Sequence, residues 1–249
     1  LFEKADALGG IVRQVIPDFR ISGGAIDKDA ALLDKLGVDV RLNTPAPSVE
    51  ALKEQGYTHI LLAIGAWKPG ALDIPGNVRP VISWMRDVKA GKAAPLGHAA
   101  VIGGGNTAMD AARLALRAGA ESATVVYRRT QKYMPADAEE LELALAEGAA
   151  FLELAAPVEQ RDGMLLCKKM RLGEPDASGR RSPVETGEMV SIPCDTVLSA
   201  VGELVDREAL SAYGVEVGAA GRPGFRTNVP GVFAAGDVLR GPATVVEGI

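Results

Sequence analysis

A chain of 249 residues, 47% of them apolar and 24% charged, can bury one large core or two ordinary ones, which excludes a disordered or fibrous protein. A net charge of −5 argues against a nucleic-acid surface, no apolar run approaches membrane-spanning length, and the first residues form neither a signal nor a transit peptide. Two cysteines, Cys167 and Cys194, are too few for a disulfide framework, so a reducing compartment, the cytoplasm, is expected.

The chain opens without methionine on Leu1-Phe2-Glu3-Lys4, which reads as the end of a strand whose beginning is absent. In a dinucleotide fold, an acid at the tip of the second strand binds the adenosine ribose, the place Glu3 would take. Leu8-Gly9-Gly10-Ile11 is a turn in which backbone can approach a ligand, and Pro17-Asp18-Phe19-Arg20 is a loop carrying a cation. Ile26, Ala30, Leu33 and Leu36 keep helical spacing up to Gly37, and 38–42 reads as a short strand. Residues 59–64 form a buried strand ending at Gly65. A turn at Ile74-Pro75-Gly76, a helix over 83–90 and a domain crossover at 91–97 follow. His59 and His98 have no second ligand or nucleophile near them in sequence and read as structural.

The apolar run 99–102 then ends in Gly103-Gly104-Gly105-Asn106-Thr107-Ala108, after which Ala108, Ala111, Ala112, Ala115 and Leu116 keep helical spacing to about Arg117. A lone G-x-G-x-x-A match is weak, but a strand before it and a helix after it give it meaning. Gly103 permits the turn, Gly105 lets backbone approach a pyrophosphate, and Ala108 lets the helix pack closely on the strand. Unpaired N–H groups at the helix start favour the phosphates. The next strand, 123–127, ends in Arg128-Arg129, and no Asp or Glu lies between Ser122 and Ala136. Where an acid would bind a free ribose 2′-hydroxyl, arginines fork onto a 2′-phosphate, which favours NADP(H) over NAD(H).

Met134-Pro135-Ala136-Asp137 leads into a helix over 138–147 with Leu141 and Leu145 on one face. Strand-like pieces at 150–154 and 164–172 are followed by a polar hairpin tip, 173–188, without obvious chemistry. Residues 196–202 make a second buried strand ending in glycine, at Gly202, which suggests two similar nucleotide-binding halves. A short helix over 206–213 precedes the strand 232–235, which delivers Gly236-Asp237 where a carboxylate can accept hydrogen bonds from ligand hydroxyls. Residues 241–249 begin a helix.

Together these pieces resemble the flavoprotein family with two dinucleotide-binding domains that includes the glutamate synthase small chain and the NADPH-to-flavin half of dihydropyrimidine dehydrogenase. The resemblance is carried in order by Glu3-Lys4 with Gly9-Gly10, Ile16-Pro17-Asp18-Phe19-Arg20, Ala63-Ile64-Gly65, 103–110, Tyr127-Arg128-Arg129, Met134-Pro135-Ala136, Ala200-Val201-Gly202 and 231–237. Leu172-Gly173-Glu174-Pro175-Asp176, Gly179-Arg180-Arg181, Pro183-Val184-Glu185-Thr186 and Arg240-Gly241-Pro242 look closest to the selenate reductase type of flavoprotein subunit.

The resemblance implies an α/β fold of two Rossmann-like, three-layer domains, with an NADPH domain (95–202) inserted in an FAD domain (1–94 and 203–249). Glu3, Gly9, Gly10, Gly65, Gly202, Gly236 and Asp237 would serve the cofactors, with Thr244 and Val245 starting a helix that points at the flavin. Gly103, Gly105, Asn106 and Thr107 would hold the NADPH pyrophosphate, and Arg128 and Arg129 its 2′-phosphate. The implied reaction passes a hydride from NADPH to FAD and electrons to an iron–sulfur module or other acceptor subunit. No metal ligand, acid, base or nucleophile is nominated. Two departures stand out. The family's first glycine fingerprint for FAD, upstream of Glu3, is not in this sequence, and two isolated cysteines cannot build an iron–sulfur module. A nucleotide-binding docking subunit without turnover is the alternative from another class.

Overall fold

The computed structural model describes residues 1–177, 179 and 181–248. Arg180, on which the resemblance draws, and Ile249, where the expected last helix ends, lie outside the described residues. In chain order the elements are α1 (Gly10–Gln14), α2 (Gly23–Lys35), α3 (Val49–Glu54), β1 (Ile60–Leu62), β2 (Lys68–Pro69), β3 (Val78–Pro80) and α4 (Val81–Lys89). Then come β4 (His98–Ile102), α5 (Asn106–Arg117), β5 (Ser122–Tyr127), α6 (Ala138–Ala146), β6 (Ala150–Glu153), β7 (Ala155–Arg161), β8 (Met164–Pro175) and β9 (Arg181–Pro193). Last are β10 (Thr196–Ser199), β11 (Glu203–Leu204), α7 (Arg207–Ala212), β12 (Val232–Ala234) and α8 (Asp237–Arg240).

Packing divides the chain into two compact units. One comprises Leu1–Gln14, Ile21–Pro69 and Glu203–Ile249; the other comprises Val15–Arg20 and Gly70–Gly202. The packing division falls at Pro69/Gly70, because β3 joins the sheet of the second unit and α4 packs on its α5.

The second unit is built on a five-stranded parallel sheet in the order β3-β10-β4-β5-β6. Successive strand residues face opposite sides. Ala100, Ile102, Val126 and Val197 bury one face against Ala155, Leu165, Cys167 and Cys194 of the β7-β8-β9 region. The other parity, Ala99, Val101, Val125 and Leu198, is buried on the side of α5. The second covering layer is therefore an antiparallel sheet, not a set of helices. Strand β7 was not foreseen, and most of the expected hairpin tip is itself ladder: β8 pairs β9 from Met164↔Pro193 to Pro175↔Arg181. Helix α5 approaches the sheet through its alanines, and Trp84, Met85 and Met109 complete a fully buried helical layer. Helix α6 buries Leu141 and Ala144; Leu145, expected on the same face, turns to solvent.

In the first unit β1 and β12 pair in parallel, Ile60↔Val232 to Leu62↔Ala234. One face packs Ile60, Leu62, Val232 and Ala234 on Val49, Leu52, Leu210 and Val238. On the other face Leu61 is 61% exposed, so the strand read as wholly buried has one open side. Phe233 there stacks with His59 and lies tilted against Phe225. The strand expected over 38–42 is reduced to one bridge, Phe2↔Arg41, since only single residues of these short pieces meet.

The segment Val15–Arg20 is strapped onto the second unit along its whole length. Val15 and Pro17 are buried, Lys89 Nζ pairs with Asp18 at 2.9 Å and donates to Ile16 O at 2.7 Å. Phe19 lies under the Arg113 and Arg117 guanidinium groups, 4.3 and 4.4 Å from its ring centre. Arg20 pairs with Asp110, at 2.6 Å, and with Glu140. Burial raises the Asp110 carboxyl pKa, against the opposing pull of Arg20. Hydrogen bonds from Arg117 and Arg113 hold Glu147 at about 2, below its ordinary 4.5. A carboxyl depressed in the folded state stabilises the fold above its unfolded pKa and loses that contribution as pH falls toward the folded value. Glu147→Gln should therefore cost about 1 kcal/mol at neutral pH, allowing for solvent screening of a half-exposed pair. Urea denaturation should show the gap from wild type shrinking as pH drops below 4.5 and closing near 2.

Candidate functional site

In an open parallel sheet, ligands bind beyond the carboxyl ends of the strands where the order of connection reverses. Here β4 leads outward to β5 and β6 on one side while β10 lies on its other side, so the reversal falls between β4 and β10. Gly103 follows β4 and Ala200 follows β10, and Ala200 N donates to Ile102 O at 2.9 Å. A Cβ on Gly103 would stand well inside contact distance of the Ala200 carbonyl oxygen, which is why the turn needs glycine. Gly104 is required for a different reason: a Cβ there would come 2.5 Å from the Tyr127 ring, whose hydroxyl is tied to Tyr133 O at 2.7 Å.

Gly105 differs from both. It caps α5 in an extended conformation open to any residue (φ −97°, ψ 173°), and nothing lies within 4 Å of where its Cβ would be. Its carbonyl accepts from Ala108 and Met109, so the N–H groups of Asn106 and Thr107 have no partner among the described residues. The result is an open helix start with free donors, a fit for phosphate oxygens. The Asn106 side chain is committed to Asp137. Its Nδ2 donates to Asp137 Oδ2 and its Oδ1 accepts from Asp137 N, both at 3.0 Å. Thr107 is half-buried. Ala108 is buried, as close packing requires. Gly202, also past β10, accepts from Gly70 N at 2.7 Å.

The arginine pair lies in the bend after β5, where its two members part. Arg128 is exposed with no partner among the described residues, whereas Arg129 is 8% exposed, with a buried Nε that has no hydrogen-bond partner there. A two-arginine fork at the surface is thus not formed by this pair. The loop after it carries Lys132, and with the start of α6 it frames an open cleft of ≈ 460 Å³.

The remaining candidates belong to the first unit. Glu3 Oε1 accepts from Ala5 N at 2.8 Å. Gly9, Gly10 and Gly65 all have φ in the left-handed range, and the Trp67 indole lies against Gly10 and Gly65. Gly236 (φ 69°, ψ −150°) turns the chain from β12 into α8, a conformation open in practice only to glycine. Burial raises the Asp237 pKa, opposed by the Ala243 N–H, and raises that of Glu203, with Asp237's charge adding to the effect. The expected helix at Thr244 and Val245 is a single turn, closed by a reciprocal box: Thr244 Oγ1 and N donate to Glu247 Oε2, and Glu247 N donates to Thr244 Oγ1.

Burial pushes both Cys167 and Cys194 up to about 11, in keeping with thiols used as core residues. Among the described residues no His, Cys, Asp or Glu group could hold a metal, and no helix is long and apolar enough to cross a membrane. Sequence reasoning missed Gly104, Lys132, Asp137, Trp67 and Glu203. Gly104 had a signal in the aromatic end of the next strand; the others are named only by the chain meeting itself.

Comparison with known proteins agrees with this architecture. The family described as Pyridine nucleotide-disulphide oxidoreductase matches residues 25–249. The Escherichia coli (strain K12) protein YgfK, named as an oxidoreductase, is 42% identical over all of this chain and a quarter (25%) of its own length. The Halomonas elongata glutamate synthase [NADPH] small chain is 31% identical over all of this chain and 59% of its own. This chain thus spans less than two thirds of either relative. Among solved structures, Mycobacterium tuberculosis FprA in complex with NADPH superposes with a TM-score of 0.79 at 20% identity, over 98% of this chain and 73% of that one.

The three glycines separate by experiment. Gly104→Ala should lower stability by about 1–3 kcal/mol through overpacking against Tyr127. Gly105→Ala meets no clash and should cost less, about 0.5–1 kcal/mol, the preference for glycine over alanine at a helix N-cap. Thermal melts of both variants check the contrast.

Proposed function

From a chain that belongs to the pyridine nucleotide-disulphide oxidoreductase family, we propose an FAD-containing NADPH oxidoreductase unit that passes electrons to a partner, an iron–sulfur module or other acceptor subunit, in the cytoplasm. The relatives' names support this reading, one of them naming NADPH and a small chain. In it the second unit is the core of an NADPH domain inserted, as 95–202, in an FAD domain of 1–94 and 203–249. Both are Rossmann-like.

One observation carries the proposal: the open start of α5 at the strand reversal, where among the described residues Gly105 meets no side chain and the Asn106 and Thr107 N–H groups have no partner. These donors would hold the NADPH pyrophosphate, and exposed Arg128 at the end of β5 would take the 2′-phosphate. In the first unit Glu3, Gly9, Gly10, Gly65, Gly236 and Asp237 would hold FAD, the glycines by admitting it close to backbone. Thr244 and Val245 would frame its ring end, and Gly202 would line the nicotinamide side of the NADPH crevice. When bound, the two cofactors supply hydride transfer from nicotinamide to flavin. The residues of this chain fix position and exclude water; no side chain is required to move a proton.

Titration of the full-length protein with NADPH and NADH tests this. NADPH should bind more tightly, and Arg128→Ala should cost about 1.5–3 kcal/mol, roughly ten- to hundredfold, for NADPH alone. Equal affinities in the wild type would sink the cofactor assignment. Gly105→Val should fold normally yet lose both nucleotides, since its branched side chain fills the space left for the pyrophosphate. A variant that binds normally would make the loop a mere turn. NADPH-driven dye reduction by the full-length flavoprotein separates an oxidoreductase from a docking subunit.

A further inference from the structure

The inner face of α5 is built from alanines, which let the helix lie close to the sheet but offer no long side chain to interlock with it. A different face holds the helix in place. Asn106, Asp110, Arg113 and Arg117 stand at i, i+4, i+7 and i+11 and so form one polar stripe. Three of its rungs meet the residues that cap α6. Asn106 exchanges two hydrogen bonds with Asp137, both at 3.0 Å. Arg113 and Arg117 reach Glu147 at 2.7 and 2.8 Å.

The remaining rung is different, because both helices bring a carboxylate to it, Asp110 from α5 and Glu140 from α6. Their side chains are 12% and 13% exposed, so little water screens one charge from the other. The cation between them comes from neither helix. Arg20, at the end of the strap, donates through Nε to Asp110 at 2.6 Å and through Nη1 to Glu140. No spare donor stands by. Glu140 Oε2 is buried without a hydrogen bond among the described residues, with Arg113 Nη1 3.7 Å away. The strap is itself fixed to the same unit, by Lys89 on Asp18 and by Phe19 beneath Arg113 and Arg117. Without Arg20, two largely buried carboxylates would repel each other one turn beyond the unpaired N–H groups of Asn106 and Thr107, pushing the first turns of α5 and α6 apart.

We propose that Arg20 is a positioning residue for the nucleotide: its charge, shared between Asp110 and Glu140, holds the start of α5 where its open N–H groups can meet a pyrophosphate. The inference rests on the reading of that helix start given above and adds a residue that acts through α5. The charged groups acting on Asp110 are Arg20 of the strap, Glu140 of α6 and Arg113 of its own helix. Helix α4, which also packs on α5, spends Lys89 on Asp18. Burial raises the Asp110 pKa and Arg20 pulls it back, so removing Arg20 raises it further. A carboxyl is ionised above its pKa and neutral below, so the repulsion is present at high pH and fades as pH falls.

Calorimetric titration of the full-length protein with NADPH tests this. The ratio of variant to wild-type Kd is taken at each pH, so that the nucleotide's own titration cancels. Arg20→Gln should bind roughly tenfold more weakly at about pH 8, the scale of coupling within one ionic network. That loss should shrink as pH falls to about 5 and Asp110 takes up a proton. Adding Asp110→Asn to Arg20→Gln removes the repulsion and should bring binding within about twofold of wild type at every pH. The same double variant decides the matter if the single one fails to fold, with thermal melts reporting folding. An Arg20→Gln protein that is folded and binds as wild type does, or loses the same factor at every pH, overturns the inference. A double variant that is unfolded, or folded yet still weak, overturns it too. If the wild type binds no NADPH, or Gly105→Val binds it normally, the reading of the helix start falls and the Arg20 assignment falls with it.

Discussion

The close approach of Gly103 to the carbonyl of Ala200 is the constraint on which the second unit depends. Strands β4 and β10 run parallel in register from Thr196↔Ala99 to Ser199↔Ile102, and both must leave the sheet at the same edge. Two chains turning away side by side leave no room for a Cβ on the nearer one. Glycine there lets the turn close without lifting α5 off the sheet. The same closeness opens the crevice beyond the strands, because the connections on either side of it diverge. Fold and site are consequences of one steric fact.

The layers around the sheet follow from what each face can accept. On one side α5 presents Ala108, Ala111, Ala112 and Ala115, all buried, so its axis lies near the strands and its first turn sits over the crevice. Larger residues would raise the helix and move its free N–H groups away. On the other side the antiparallel sheet β7-β8-β9 covers Ala100, Ile102, Val126 and Val197 with Leu165 and the two cysteines. A parallel sheet needs both faces covered, and a meander serves as well as helices.

Charge is distributed with equal economy. On the helical side, Arg20, Arg113 and Arg117 neutralise Asp110, Glu140 and Glu147, and the Phe19 ring fills the space beneath two guanidinium groups. That network fixes α5 against α6. Beyond β5 the opposite holds: Arg128 and Lys132 face solvent with no ion pair among the described residues. Pairing where two helices are held together and leaving charge exposed beyond a strand end are two uses of the same residue types.

What the sequence determined by itself was local. Periodicity and glycine placement located β4, the turn 103–105, α5 and β5 to within a residue or so, since strand, turn and helix each leave a mark over a few consecutive positions. The α/β class followed, and so did membership of an oxidoreductase family, because the ordered motifs are themselves local. What only the tertiary structure decided were relations between distant segments. Strand β7 has polar and apolar residues mixed, and it exists because β8 offers it a ladder. The face of Leu145 depends on where α6 sits, and the open side of Leu61 on there being one packed face of β1. Arg128 and Arg129 are neighbours in sequence, yet the bend after β5 leaves one side chain facing solvent and buries the other. The Asn106 side chain finds its partner in Asp137, from the start of another helix, which takes both ends of its amide. A motif fixes backbone, whose hydrogen bonds are short-range. Where a long side chain points is settled by whichever partner the fold brings within about 3 Å, and no spacing rule in the sequence encodes that.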